Sequence, residues 1–516
     1  MLGLGFGGLG LNGSDEAPVL VIGAGPSGLF AAAELARNGV PTRIVEREPV
    51  PHRQARATAL QPRTLEILAR GEVVEAVLAA SVHLRFARIF DAHLRPVSEL
   101  PFAGVGCRWE FQCNLPQWRT EEILAERLME LGGVVERGVS ASSVEPRDES
   151  VLVGLERGDG TPETVEAGWL VDAGGAHSTT RASMAESLEG STSPGTALVA
   201  DVRARCRLPR DGGALVATPR GYVLLVPLPD ARWVTFVGDL EDDEARRVGR
   251  ATAIALVAAA IDRRVPGEIA VDDVAWAAPF RMHERLVPRL AEGRRFLLGD
   301  AGHLSSPFGG EGLNSGLHDA HDLAWKLALT LRGRARPALL ASFASERLAA
   351  DRHVLEVSDR IDHLARAAVE SARTGVHRNP PTRAELAALA RSRCMLDVSY
   401  AGSPRVGEHL GPGVRPPAAP GPGDRYPDPP ALTGTAHQVL LFGAADEAGA
   451  ARLARRWRGV VEVARATSDP GRAGLTSTGA VLVRPDGHIG FRAAPADAAG
   501  LAALDAHLDS YLLPMP

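Results

Sequence analysis

Cysteine is scarce in this chain, and the four present (Cys107, Cys113, Cys206 and Cys394) form neither a CxxC pair nor a metal-ligand spacing. They read as buried free thiols, so no disulfide framework and no metal site are expected. Long apolar runs are also missing. Without a stretch of about eighteen apolar residues there is no membrane-spanning helix and no membrane partner. The opening MLGLGFGGLGLNGSDE lacks the positively charged start and cleavage site of a secretory signal, so residues 1–15 read as a disordered leader and the protein as cytoplasmic. Excess positive charge is absent as well. With a formal net charge of -6 and no basic stripe, nucleic acid is excluded as a partner. Lysine and tyrosine are rare beside abundant alanine, arginine, glycine and proline, a bias that carries no chemistry.

The chain does have length and glycine motifs. Its 516 residues, 45% of them hydrophobic, exceed one ordinary domain and suggest roughly three. Val19 to Ile22 is an apolar run ending at Gly23-Ala24-Gly25-Pro26-Ser27-Gly28, followed by Leu29 to Leu35 at helical spacing and Arg43 to Val45 as a second strand. This is a βαβ start of the dinucleotide-binding kind. Glu46 closes the second strand, where an acidic side chain can accept hydrogen bonds from a ribose diol. Far downstream, Gly299 to Lys326 reads GDAGHLSSPFGGEGLNSGLHDAHDLAWK, with an acidic residue, a glycine turn and another helix start. Two such elements imply one large dinucleotide held at both ends, most simply FAD.

Between and beyond these motifs, Gln61 to Leu68 and Trp118 to Leu131 read as amphipathic helices. Ala200 to Arg207, Gly213 to Ala217, Tyr222 to Pro227 and Trp233 to Gly238 read as an antiparallel sheet. Leu339 to Ala368 is a long helical stretch, and Gly411 to Pro430 is an extended Pro/Gly-rich linker. Strands at Gln438 to Phe442, Val460 to Ala464 and Gly479 to Arg484 make a small terminal α/β unit.

These residues resemble the class A flavoprotein monooxygenases, the family of p-hydroxybenzoate hydroxylase and the aromatic polyketide hydroxylases. The resemblance is strong over residues 17–350 and weak beyond. It implies an α/β fold: a Rossmann-like FAD-binding domain (16–80, 112–185 and 276–345), an inserted antiparallel β-sheet substrate domain (81–111 and 186–275), a helical connector (346–402) and a thioredoxin-like domain (403–516). That last unit has no cysteine, which excludes disulfide exchange. The cofactor-binding residues it implies are Gly23, Gly25, Pro26, Ser27, Gly28, Glu46, Arg47, Arg56 (or Arg53 in its place), Gln117, Asp300, Pro307, Gly309, Gly310, Gly312, Leu313 and Asn314. His303 is expected to be structural, Trp325 a packing residue, Lys326 a surface residue, and Glu346 with Arg347 a structural ion pair.

The chain departs from the family at a third motif, GADGxxSxxR, which here reads Asp172-Ala173-Gly174-Gly175-Ala176-His177-Ser178-Thr179-Thr180-Arg181. Ser178 and Arg181 match, but the motif's aspartate, linked in the family to pyridine-nucleotide use, is Gly174, with Asp172 two residues away. Two chemistries follow from the resemblance. In one, NAD(P)H reduces FAD and a flavin C4a-hydroperoxide delivers one oxygen to a polyketide-like ring. In the other, FAD is retained without redox turnover and the pocket folds a polyene for a [4+2] cyclisation to a decalin, as in Diels-Alderase relatives. A monomer or homodimer acting in antibiotic biosynthesis is implied either way.

No catalytic residue is assigned. Weak candidates on the expected sheet are Asp201, Arg220, Tyr222, Trp233 and Thr235, and the Val105 to Leu115 segment offers Trp109 and Phe111. Alternation places Tyr222, Leu224 and Val226 on one face of their strand, and Trp233 with Thr235 on one face of the next.

Overall fold

The computed structural model describes residues 19–53, 57–240, 254–306, 309–376, 381–415, 417, 419–427 and 434–515. Its first layer is a six-stranded sheet in the order Ala291–Glu292, Arg295–Leu297, Trp169–Asp172, Val19–Ile22, Thr42–Glu46, Val135–Arg137. All pairings are parallel except the first. Parallel strands need covering on both faces, and the central strands Val19–Ile22 and Trp169–Asp172 are accordingly apolar up to the terminal Asp172, while the outer ones carry charged residues. Helices Pro26–Arg37, Gln117–Glu130 and Gly312–Leu331 cover one face. A three-stranded antiparallel sheet of Val139–Pro146, Val151–Arg157 and Pro162–Ala167 shares a core with the other.

The second layer is an eight-stranded sheet in the order His303–Leu304, Ala270–Leu286, Glu189–Arg205, Arg232–Val237, Gly221–Pro227, Gly212–Thr218, Phe86–Phe90, Pro96–Pro101. Period-two alternation divides its residues between two cores. Leu198, Ala200, Val202, Val223, Leu225, Trp233 and Val237 pack on one side with helix Ile254–Asp262. Val199, Leu215, Tyr222, Val234 and Phe236 pack on the other with Ala365 and Val369 of the long helix Pro337–Thr374. That helix starts with a proline in its first turn and stops at Gly375, whose φ of +71° suits the left-handed C-terminal turn. Helix Arg383–Arg393 follows, opened by a capping box in which Thr382 and Glu385 satisfy each other's backbone N–H groups.

Residues 407–512 form a third unit, a mixed five-stranded sheet in the order Gly407–Leu410, Ile489–Ala494, Gly479–Val483, His437–Phe442, Val461–Arg465, with helices Glu447–Arg456 and Ala498–Asp509. Its hairpin near residues 484–488 docks through a buried ionic junction. Arg484 donates to Glu346 (2.6 and 2.8 Å) and Asp486 (2.6 Å), while the Nζ of Lys326 donates to Asp322 (2.7 Å) and Glu346 (2.6 Å). Lys326, the one lysine of the chain, is fully buried. This corrects its reading as a surface residue, and Glu346 and Arg347 do not pair with each other. Arg347 instead binds Asp319 and Asp351. Burial opposes ionisation of these carboxyls, but Arg484 and Lys326 hold Glu346 well below the usual range, whereas burial dominates at Asp322 and lifts it to about 6.

Among the described residues no helix is long and apolar enough to cross a membrane. Because a buried charge stripped of its partner is costly, Arg484→Met is expected to lower unfolding stability by about 3–5 kcal/mol. Arg95→Ala, which breaks an exposed pair with Asp91, should leave the denaturant midpoint unchanged.

Candidate functional site

The Gly23–Gly28 turn shows what each glycine does. Gly23 has a φ of +93°, and a Cβ there would lie 2.5 Å from the carbonyl oxygen of Ala173; at Gly28 it would lie 1.9 Å from that of Gly23. Gly25 differs: a Cβ would meet nothing within 4 Å, because the residue faces a cavity. Gly25 caps helix Pro26–Arg37, which has no side-chain cap and no acidic residue in its first turn. Its terminal N–H groups and positive dipole end are therefore free to receive an anion. Glu46 lies at the edge of the same cavity, its Oε2 accepting from Ala24 N–H (2.7 Å) and Oε1 from Glu48 N–H (2.9 Å). Arg47 lines the cavity from an exposed position. Gln117 accepts from Ala57 N–H (3.2 Å) and donates to Glu121 (2.8 Å), also on the cavity wall.

The second glycine element closes on the first. A Cβ on Gly299 would sit 2.7 Å from the Ser27 hydroxyl and one on Gly316 only 2.2 Å from it, so helix Gly312–Leu331 approaches helix Pro26–Arg37 at a spacing that side chains would forbid. Asp300, exposed, and Gly310, Gly312 and Leu313 line the cavity. Helix Gly312–Leu331 also starts without a side-chain cap or an acidic first turn. Gly309 is placed one step back, its carbonyl accepting from Gln61 (3.2 Å). Asn314 is turned inward: its amide binds Ala59 O, Gly310 O and Gln61 N–H, so its side chain braces the loop and does not face the cavity. Arg56 and Pro307 lie outside the described residues.

At the third motif, Asp172 is fully buried and committed to its own turn. Oδ1 accepts from Gly174 N–H (2.6 Å), and Oδ2 from the Ser178 hydroxyl (2.7 Å) and Thr180 N–H (3.2 Å). A Cβ on Gly174 would lie 2.9 Å from Asp172 Oδ1. A carboxylate built at position 174 would crowd and repel that of Asp172, and Asp172, though on the cavity wall, spends both of its oxygens on its own turn. Arg181 ties this turn to the second glycine element through Ala301 O (2.9 Å).

All of these walls belong to one cavity of about 2280 Å³. Sites for a single drug-sized ligand span roughly 300–1,000 Å³, so this one has room for a dinucleotide and a second sizeable molecule. Beyond the glycine loops it is lined by Leu224, Val226, Phe236, Trp276 and Phe280 from the large sheet and by Leu364 and Ala368 from the long helix. Residues 346–402, expected only to connect, thus form one wall.

The weak candidates fare differently. Trp233 and Thr235 share a strand face, but it is the face turned away from the cavity, under helix Ile254–Asp262. Asp201 is held by Arg232 (2.6 Å), which also binds Asp273 (2.8 Å). Arg220 sits in the hairpin turn, reaching Arg263 O (3.4 Å). Tyr222 does share the Leu224 and Val226 face, but it packs against Ala365 and Val369, and burial raises its phenol. Trp109 joins the core beneath the first sheet and Phe111 stacks on His83, so neither lines the cavity. Glu311, Arg360 and Arg393 do line it and escaped the sequence reading. The only prior sign was an acidic residue inside the GGEG turn.

His303 donates through Nε2 to the Asp319 carboxylate at 2.7 Å, away from the cavity. Burial opposes its charge, but Asp351 and Asp319 outweigh it and lift the imidazole to about 9. Among the described residues two buried groups come close enough to hold a cation, His303 with Asp319 and Asp351, and Asp322 with Glu346 and Asp486. Arg347 already neutralises the first, and Arg484 with Lys326 the second.

Residues 16–358 match the family described as FAD binding domain, and residues 410–512 match aromatic-ring hydroxylase, C-terminal. The 6-methylpretetramide 4-monooxygenase of Streptomyces rimosus is 34% identical, over 97% of this chain and 95% of its own. Aklavinone-11 hydroxylase, solved with FAD and aklavinone, superposes with a TM-score of 0.79 at 27% identity, covering 96% of this chain and 99% of its own. A Diels-Alderase from the pyrroindomycin pathway superposes at 0.72 with 26% identity, covering 97% and 100%.

Three outcomes are expected. Gly25→Ala should leave the melting temperature of the flavin-free protein unchanged and weaken flavin retention at least about tenfold, because its methyl meets only the ligand's space. Gly28→Ala should destabilise the fold itself. For His303, a raised imidazole pKa stabilises the fold below about pH 6.5, and this is lost as pH climbs through about 9. His303→Gln should flatten that part of the curve of melting temperature against pH.

Proposed function

The chain belongs to the FAD binding domain family, and we propose that it hydroxylates a polycyclic aromatic polyketide as an FAD-dependent monooxygenase. The observation that carries this reading is the single cavity, with two uncapped helix starts at one end and an apolar lobe of the large sheet at the other. The residues present fit FAD. Gly25 leaves open the space a diphosphate needs against the first helix, Glu46 supplies acceptors at the end of its strand, and the cavity exceeds one ligand. Gly23, Pro26, Ser27 and Gly28 shape that cradle, with Arg47, Gln117, Asp300, Gly310, Gly312 and Leu313 along its length.

FAD bound there supplies the oxygen-activating chemistry. The chain supplies position and environment. N–H groups at the start of helix Gly312–Leu331 favour negative charge on whatever lies against them, in a site where few waters compete. Leu224, Val226, Phe236, Trp276 and Phe280 hold a flat apolar substrate and exclude water, which is what oxygen transfer requires. We assign residues 16–80, 112–185 and 276–345 to cofactor binding and the sheet around 186–275 to substrate. The terminal unit reads as a thioredoxin-like appendage with a docking role, in a cytoplasmic monomer or homodimer.

One observation favours a second reading. Gly174 leaves the third motif without its outward carboxylate, and Asp172 does not replace it. That combination suits a non-redox [4+2] cyclase, in which the same pocket would accelerate ring closure by orienting a polyene. Anaerobic mixing of the flavin-loaded protein with NADPH or NADH and a polycyclic phenol separates the two. The monooxygenase reading expects the oxidised flavin absorbance to bleach at a rate on the order of 1 s⁻¹ or faster. A flavin that stays oxidised with either nucleotide, with and without the phenol, would sink it.

A further inference from the structure

Glu311 is the most unusual polar group on the cavity wall. It immediately precedes helix Gly312–Leu331, is 1% exposed, and lines the cavity, yet among the described residues neither carboxyl oxygen has a hydrogen-bond partner. The loop is shaped around it: a Cβ on Gly309 would fall 2.2 Å from Oε2. A buried carboxyl left unpaired is costly, and such groups persist where a ligand completes them.

Its surroundings define the ligand. The long helix contributes His353 and Arg360, the next helix Arg393, and the following loop Asp397, which pairs with His353 at 3.1 Å. Arg360 and Arg393 line the same cavity, so the neighbourhood favours an anionic oxygen on the ligand. Burial lifts Glu311 to about 8, outweighing Arg393, His353 and Arg360, while Asp397 adds to the rise. The carboxyl therefore exchanges its proton in mildly alkaline solution, in the range where phenols and enols of fused aromatic ketones also ionise. Proton transfer between groups of matched acidity is close to balanced.

We propose that Glu311 accepts the proton of an acidic hydroxyl of the substrate and holds it against the resulting oxyanion. The inference rests on the reading of the cavity as a polycyclic phenol site. The substrate O–H bond breaks, its electron pair stays on oxygen, and a new O–H bond forms on a Glu311 carboxyl oxygen. Arg393 faces the negative charge so created. The ring becomes more electron-rich, which is the condition an electrophilic oxygen donor needs. Glu311 returns the proton to the hydroxyl or to solvent when product leaves.

Alizarin, a dihydroxyanthraquinone whose colour reports its own ionisation, is the probe. It is added to the flavin-loaded enzyme in weak buffer at about pH 8 while proton uptake and colour are followed together. Wild type is expected to bind the anion, keep the anion colour, and take up a fraction of a proton per site, equal to the share of Glu311 still ionised there. Glu311→Asp, which keeps a carboxyl, should retain uptake at a shifted pH. In Glu311→Gln, uptake without a colour change should vanish, with flavin content and flavin spectrum unaltered. The same signature in Glu311→Gln, or anion binding to wild type without uptake, overturns the proposal. Failure of alizarin to bind either protein contradicts instead the phenol-site reading on which it rests.

Discussion

The close approach of two helices at Ser27, Gly299 and Gly316 is the contact on which the rest depends. Side chains at either glycine would press within 2.7 Å of the Ser27 hydroxyl. With hydrogen atoms there instead, helix starts almost three hundred residues apart in sequence open on one cavity. Each start presents N–H groups and a positive dipole end, and at neither does an N-cap side chain hydrogen-bond to them. A molecule with a diphosphate in its middle and an electron-accepting ring at one end suits that pair of helix starts. The large sheet then has only to supply an apolar wall.

The charged residues buried behind this contact keep it rigid. Arg347 joins Asp319 to Asp351, and Asp319 also accepts from Gly299 N–H (3.1 Å), so the second glycine turn is tied to the long helix. Arg484 carries the same logic into the terminal unit through Glu346. Each of these charges is paired, which is what makes their burial tolerable. Glu311 is the contrast, a buried carboxyl beside the cavity whose oxygens have no hydrogen-bond partner among the described residues, and the difference separates residues that hold the site from the one proposed to face a ligand.

Much of the architecture was legible because it is local. An apolar run, a glycine turn and an amphipathic helix announce a βαβ unit, and the strands of the large sheet follow from β-branched segments between glycines and prolines. What was not legible depends on residues distant in sequence. Lys326 looks like a surface residue at the end of an amphipathic helix until Glu346 and Arg484 are brought to it. Period-two alternation groups Trp233 with Thr235 correctly, but nothing in the strand says which face meets the cavity; helix Ile254–Asp262 decides that. Asp201 reads as a free carboxylate because Arg232 lies thirty-one residues on. Glu311 hides for the opposite reason, since an acidic residue before a helix ordinarily signals a solvated N-terminus.

The proposed oxygen transfer takes place in the shared cavity, to a polycyclic aromatic molecule lying against the sheet. Turnover under isotopically labelled dioxygen, with a reduced pyridine nucleotide and a fused-ring phenol, tests it by the mass of the product. One labelled oxygen atom per product molecule, with the second recovered in water, is the predicted result. A product isomeric with its substrate and free of label would contradict the account and leave the cavity as a shaping site alone.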